Sequence, residues 1–229
     1  MKNTAGLHFL GMGSAFNPAM DNTSAWFAKD GTFYLLDCGE TVFGKIWDLE
    51  VFKNAKTVCV VLTHMHSDHI GSLGTLLSYC AIVVHKQVQI FYPAETLKSY
   101  LALVGIDQSF YTHHLTPPHH WSIHFEPYPV KHASDMACYG YVFEVDDQVI
   151  YYSGDSRAIP QPIVNLLMKD KLDVIFQDTS LEENEHHCPL RELEETIPEE
   201  LRHKVFAMHI PDDESIDHIV AKGFKVVEL

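Results

Sequence analysis

The 229-residue chain carries 31 acidic against 16 basic side chains, a formal net charge of −15 with histidine neutral. Hydrophobic residues make up 46% and charged residues 21%, which predicts one medium-sized globular domain with a full core. So acidic a surface repels phosphate backbones, which bind proteins largely through cationic side chains, and argues against a nucleic-acid partner.

In chain order, short apolar and β-branched runs predict strands at 7–10, 32–36, 58–62 and 81–84, then at 139–145, 149–153, 174–176 and 204–208. Helical spacing predicts helices near 70–79, 95–104, 162–168, 190–196 and 215–222. Asp146-Asp147-Gln148 reads as a hairpin turn, and 113–121, with Pro117-Pro118 and four histidines, as an irregular loop. Early strands in succession and later strands alternating with helices suit sheets covered by helices on their outer faces, an α/β sandwich. No apolar run nears the ~18 residues of a spanning helix, so no membrane is expected as partner. The N-terminus lacks the long apolar stretch of a secretory signal. The five cysteines (Cys38, Cys59, Cys80, Cys138, Cys188) are scattered without a CxxC pair and read as buried thiols in a reducing compartment, the cytoplasm.

Histidine is in excess, at 16 residues, and is both the commonest neutral metal ligand and a proton carrier near neutral pH. Its densest cluster is Thr63-His-Met-His-Ser-Asp-His-Ile-Gly71, directly after the apolar run 58–62. His64, His66, Asp68 and His69 then stand in one turn at a strand's C-terminal end, where α/β proteins commonly place binding sites. From extended backbone, His64 and His66 can converge on one ion while Asp68 and His69 turn toward a second. Imidazole nitrogen with carboxylate oxygen suits Zn²⁺, with Mn²⁺ or Fe as alternatives. A solvated loop with incidental histidines is the competing reading, weakened by four ligand types packed behind a buried strand. One turn cannot close two coordination spheres. His132, Asp155 and His209 each end an apolar run and are the further ligands expected.

With His64-x-His66-x-Asp68-His69 followed by His132, Asp155 and His209, the chain resembles the metallo-β-lactamase superfamily from about residue 7 to 210. Phe9-Leu-Gly-Met-Gly-Ser-Ala15, Asn22-Thr-Ser24, Leu36-Asp-Cys-Gly-Glu40 and Gly154-Asp-Ser-Arg157 are similar to markers of its phosphodiesterase branch, which includes the tRNA 3′-processing endonucleases. The resemblance implies an αββα sandwich in a single domain. It implies two divalent metal ions, zinc first: His64, His66 and His132 on one, Asp68, His69 and His209 on the other, Asp155 bridging. It also implies a homodimer. The superfamily's oxygen-reducing diiron members usually carry glutamate in place of His66, so a hydrolase is favoured.

A pair of ions acidifies a water held between them, so no Ser or Cys nucleophile is required, and Asp68 can orient or deprotonate that water. His187 resembles the branch's histidine ahead of the last metal ligand and is the expected proton donor to the leaving alkoxide. His186 stands beside it, and the choice between the two is open at this stage. Asp178 resembles the acidic partner of that histidine. Asp37 either hydrogen-bonds a ligand histidine from behind or serves as a turn residue before Gly39. Ser14, Asn22 and Ser24 either contact phosphate or cap loops; Arg157 either holds a phosphate oxygen or pairs with an acidic neighbour. His113, His114, His119 and His120 form a surface loop or a cover for the pocket. His8, His85, His203 and His218 are expected to be structural or solvated.

One site chemistry serves β-lactams, thioesters, lactones and phosphodiesters, so the fold leaves the substrate open. The interval from His132 to Asp155 has room for two strands but not for the tRNA-gripping arm of the tRNA-processing enzymes. The stretch after His209 is too short for the helical region of glyoxalase-type thioesterases. These features point to a cytoplasmic phosphodiesterase for a small or cyclic phosphate ester, with a small anionic substrate as partner. The alternatives are an ester- or lactone-cleaving enzyme on the same centre, and a non-catalytic metal-binding protein of this fold.

Overall fold

The computed structural model describes residues 4–229, which form two six-stranded sheets. The first contains, in spatial order, β1 (His8–Gly11), β2 (Ser24–Lys29), β3 (Thr32–Leu36), β4 (Thr57–Val61), β5 (Val88–Phe91) and β6 (Tyr111–His114). The pairs β1–β2 and β2–β3 are antiparallel, and the pairs from β3 to β6 are parallel. Its crossovers hold helices α1 (Val42–Ile46), α2 (Glu50–Asn54), α3 (Ser67–Ile70), α4 (Leu73–Ile82) and α5 (Thr96–Leu103). The second sheet contains β7 (Glu126–Pro129), β8 (Tyr139–Val145), β9 (Gln148–Tyr152), β10 (Val174–Asp178), β11 (Val205–Met208) and β12 (Lys225–Val226), with α6 (Gln161–Met168), α7 (Leu190–Thr196) and α8 (Glu214–Ala221) between its later strands. It repeats the first sheet's scheme: two antiparallel pairings, then three parallel ones.

Alternation along the strands sorts the core into three layers. Phe33 and Leu35 of β3 and Val58 and Val60 of β4 face the helices, where Leu73, Leu76, Leu77 and Leu101 cover them. Tyr34, Leu36, Cys59 and Val61 face the second sheet. There Phe27 stacks on Tyr34 at 4.9 Å and on Phe143 at 5.9 Å, and Phe125 tilts against Phe143 at 4.9 Å. On the far side Ile163, Leu167, Leu193 and Ile219 pack over Ile175, Val205 and Ala207. The order is helix, sheet, sheet, helix, as the sequence implied.

The expected strand at 139–145 matches β8, and the hairpin after it turns through Asp146 and Asp147 at φ +49° and +63°, as a primed two-residue turn requires. β8 and β9 occupy the interval between His132 and Asp155, with no inserted arm. The strand expected at 81–84 is instead the end of α4 and the turn beyond it. Leu73, Leu76, Leu77 and Cys80 recur at helical spacing on the buried face, and that burial overrides the β preference of Ile82 and Val83, which end up exposed. The histidine segment also differs: 111–114 is edge strand β6, where His113 Nε2 donates to Tyr92 O and His114 Nε2 to Gln89 Oε1, both at 2.8 Å. All five cysteines are buried and free, and no helix among the described residues is long and apolar enough to cross a membrane.

Phe27 is 2% exposed at the centre of the inter-sheet layer. Phe27→Ala is expected to cost about 3–5 kcal/mol in denaturant unfolding, whereas Leu103→Ala, at an 87% exposed position, should stay within about 0.5 kcal/mol of the parent.

Candidate metal centre

Parallel strands end on a common edge, so the turns leaving β3, β4, β9, β10 and β11 meet there. Asp37 follows β3; His64, His66, Asp68 and His69 follow β4; Asp155 follows β9; His209 follows β11; His132 lies between β7 and β8. Two of these turns are strained. Asp37 and His209 have φ of +62° and +57°, a left-handed conformation costing a non-glycine residue about 1–2 kcal/mol, which persists where the surroundings over-determine it. Gly154 lies at φ +56°, and a Cβ there would come within 2.5 Å of Thr63 Cβ, so only glycine lets Asp155 approach the β4 turn. At Gly39 a Cβ would collide with the carbonyl oxygen of Asp68.

All seven expected ligands converge. His64, His66, His132 and Asp155 form one group and Asp68, His69, Asp155 and His209 another, each with donor atoms within 4.8 Å of one another. Asp155 belongs to both. In the first group His66 Nδ1 lies 2.9 Å from His64 Nε2 and 3.1 Å from His132 Nε2. In the second, His69 Nε2 and Asp155 Oδ1 are 3.0 Å apart yet neither makes a hydrogen bond, and His209 Nε2 lies 3.3 Å from Asp68 Oδ2. All seven except His66 are buried.

Hydrogen bonds behind the ligands set their tautomers. Asp37 accepts three, each of 2.8 Å: Thr63 N on Oδ1, and Thr63 Oγ1 and His69 Nδ1 on Oδ2. With its hydrogen committed to Asp37, the Thr63 hydroxyl accepts from His64 Nδ1 at 3.1 Å. His132 Nδ1 donates to the carbonyl of His186 at 3.1 Å. In all three rings Nδ1 carries a hydrogen, which leaves Nε2 as the nitrogen that faces the centre.

Lone pairs buried this close together are tolerable only with positive charge among them. The carboxylates demand the same. Burial opposes the charged form of His69, but Asp155 and Asp37 hold its pKa well above the ordinary value. Against a similar desolvation cost, Asp155, Asp178 and Asp68 raise His209 to about 10. Burial, with neighbouring His69, pushes His64 well below the usual range, leaving it a neutral donor. Without a metal, protons supply the positive charge; divalent cations would displace them. Five imidazoles, two carboxylates and the unpartnered atoms of His69 and Asp155 therefore fit bound divalent ions.

Beside the second group, His187 Nδ1 donates to Asp178 Oδ2 at 2.8 Å, and the His187 ring stacks on His209 at 4.9 Å. Asp178 Oδ2 also accepts from Ser156 N at 2.9 Å. Desolvation alone would lower the His187 pKa, but the hydrogen bond and charge of Asp178 outweigh it and raise the pKa above the ordinary value. His186 turns the other way: its Nδ1 donates to His132 O at 3.0 Å while its own carbonyl accepts from His132. The structure thus pairs His187 with the acidic residue and uses His186 as a brace.

The centre opens into a cavity of about 870 Å³ lined by both histidines and by Ser14. Three expected substrate contacts lie outside its wall. Asn22 Oδ1 accepts from Thr41 N at 2.9 Å, and Ser24 Oγ donates to the carbonyls of Leu36 and Asp37, so both brace the loops around β2 and β3. Arg157 pairs with Glu192 and, at 3.4 Å, with Glu183, which is the acidic-neighbour reading. The histidine loop does not cover the centre either: His120 lines a separate cavity of about 390 Å³ with Thr32 and Thr57, at the opposite ends of β3 and β4.

A family profile described as "Anti-Pycsar protein Apyc1" matches residues 5–227. The chain belongs to the Apyc1 family. The Anti-Pycsar protein Apyc1 of Paenibacillus harenae is 25% identical over 223 residues, covering 90% of each chain. Among solved structures, the metallo-β-lactamase fold protein YhfI of Bacillus subtilis superposes with a TM-score of 0.78 at 16% identity, over 96% of this chain and 94% of that one. A diphosphatase of the PhnP family gives 0.70 at 21% identity, over 97% and 94%. The fold is the metallo-β-lactamase sandwich.

In this Apyc1-family chain, sequence reasoning missed the relay through Thr63, the brace from His186 and the role of Asn184, whose Oδ1 accepts from the backbone N of both His186 and His187. Position was the available signal: a hydroxyl directly before the first ligand, and an amide just ahead of the histidine pair. Asp37→Ala is expected to weaken metal binding about 10- to 100-fold in competition with a chromogenic chelator; Arg157→Ala should leave it unchanged.

Proposed function

We propose that this metal-dependent hydrolase is a phosphodiesterase for a small or cyclic phosphate ester, working with two divalent ions, zinc first among them. The anti-Pycsar role in its family's name, a homodimeric state and a cytoplasmic location belong to the same proposal. The observation that carries it is the His187–Asp178 pair, set against two ligand groups that share Asp155.

When bound, the two ions supply Lewis acidity, acidifying water and offsetting charge on the phosphoryl oxygens. Asp68, buried and on the cavity wall, orients the attacking water and takes its proton. Asp178 holds the His187 ring by Nδ1, which leaves Nε2 to deliver a proton to the departing alkoxide. Such an acid matters for an ester whose leaving group is a poor one. Among the described residues no Lys or Arg lines the cavity, which supports a small substrate with one phosphate over a polynucleotide backbone. Ser14, on the wall, is a contact for that phosphate.

Chelation should abolish hydrolysis of bis(p-nitrophenyl) phosphate, and Zn²⁺ or Mn²⁺ should restore it. His187→Asn should retain its metal yet lose about 10²- to 10⁴-fold in turnover of alkyl diesters, with a much smaller loss when p-nitrophenolate departs unassisted. Metal-independent turnover, or brisk lactone hydrolysis with no diester cleavage, would overturn the assignment.

A further inference from the structure

The cavity over the metal centre carries a side chain that this reading leaves without a task. Phe16 lines it and is 96% exposed. Among the described residues, the other large exposed apolar side chains, such as Leu103, Ile82 and Val83, are not on the cavity wall. Exposing a whole phenyl ring forgoes the burial that aromatic residues usually gain.

The ring stands on an anchored base. Ser14 N donates to Ile210 O at 3.0 Å, Asn17 Nδ2 donates to Pro211 O at 2.9 Å, and Gly13 bridges to both Asn22 and Ile210. The turn between β1 and β2 is therefore tied to the segment that directly follows His209. The same wall carries the small or apolar residues Ala15, Ala133 and Pro211.

We propose that Phe16 is a specificity-determining residue, whose ring stacks on a flat aromatic ring in the organic part of the ester while the phosphoryl group lies at the metal centre. Aromatic pairs gain attraction beyond the area they bury when offset or edge-on, so an aromatic ester is preferred over an alkyl one of the same charge. The placement of the phosphoryl group rests on the phosphodiesterase reading; the ring contact needs no turnover.

The test measures calorimetric Kd values of metal-loaded protein for two non-hydrolysable probes, phenylphosphonate and methylphosphonate. The parent protein should prefer the phenyl probe by about three- to tenfold. Phe16→Ala should bring that ratio close to one, and Phe16→Trp should restore it. A ratio unchanged in Phe16→Ala, or no preference in the parent, overturns the proposal. So does a fall from dimer to monomer in sedimentation with the ratio intact, which would make the ring a contact between copies. Loss of the phosphodiesterase reading would look different: no diester turnover, with the phenyl preference still dependent on Phe16.

Discussion

The catalytic edge of the molecule depends on one buried carboxylate. A charged group with no solvent contact is costly unless hydrogen bonds surround it, and Asp37 meets that condition through Thr63 and His69. Burial still pulls its pKa upward, against the His69 charge. The same three bonds tie the end of β3 to the end of β4, hold Asp37 in its left-handed conformation and fix the hydrogen of His69. Through the Thr63 hydroxyl they also fix His64. Strand register and ligand tautomer are thus one constraint.

The second constraint is the repeated plan of the two sheets. The first sheet delivers four candidate ligands from a single turn after β4, whereas the second delivers His132, Asp155 and His209 from three separate loops. Neither of the two groups that gather the seven expected ligands is completed by one half alone, because Asp155 belongs to both. The aromatic layer of Phe27, Tyr34, Phe125 and Phe143 brings the halves together, so hydrophobic burial provides the energy that assembles a polar centre.

Charge is arranged in opposition to the exterior. The chain is strongly acidic, and Arg157, the cation nearest Asp155 in sequence, is tied to Glu192 and Glu183. Positive potential in the cavity then comes from the histidines and from the cations that these groups could hold. His187 shows how finely this is divided: two adjacent histidines carry different tasks because one ring meets Asp178 and the other meets the backbone of His132.

Patterns carried by neighbouring residues were legible in the sequence: the His64–His69 turn, the polar residues that close apolar runs at His132, Asp155 and His209, and the alternation of β3 and β8. Edge strands β6 and β7 were not, because Tyr-Thr-His-His and Glu-Pro-Tyr-Pro are half solvated and show no clean alternation. Asn22, Ser24 and Arg157 stand in marker-like segments, yet their partners Thr41, Leu36 and Glu192 come from other elements. By itself the sequence determined the fold and the seven candidate ligands that the structure brings together, since burial period and ligand spacing are written along the chain. Only the tertiary structure decided which histidine faces Asp178, which tautomers the ligands hold and which polar side chains reach the cavity, since each is settled by contacts near 3 Å between residues remote in sequence.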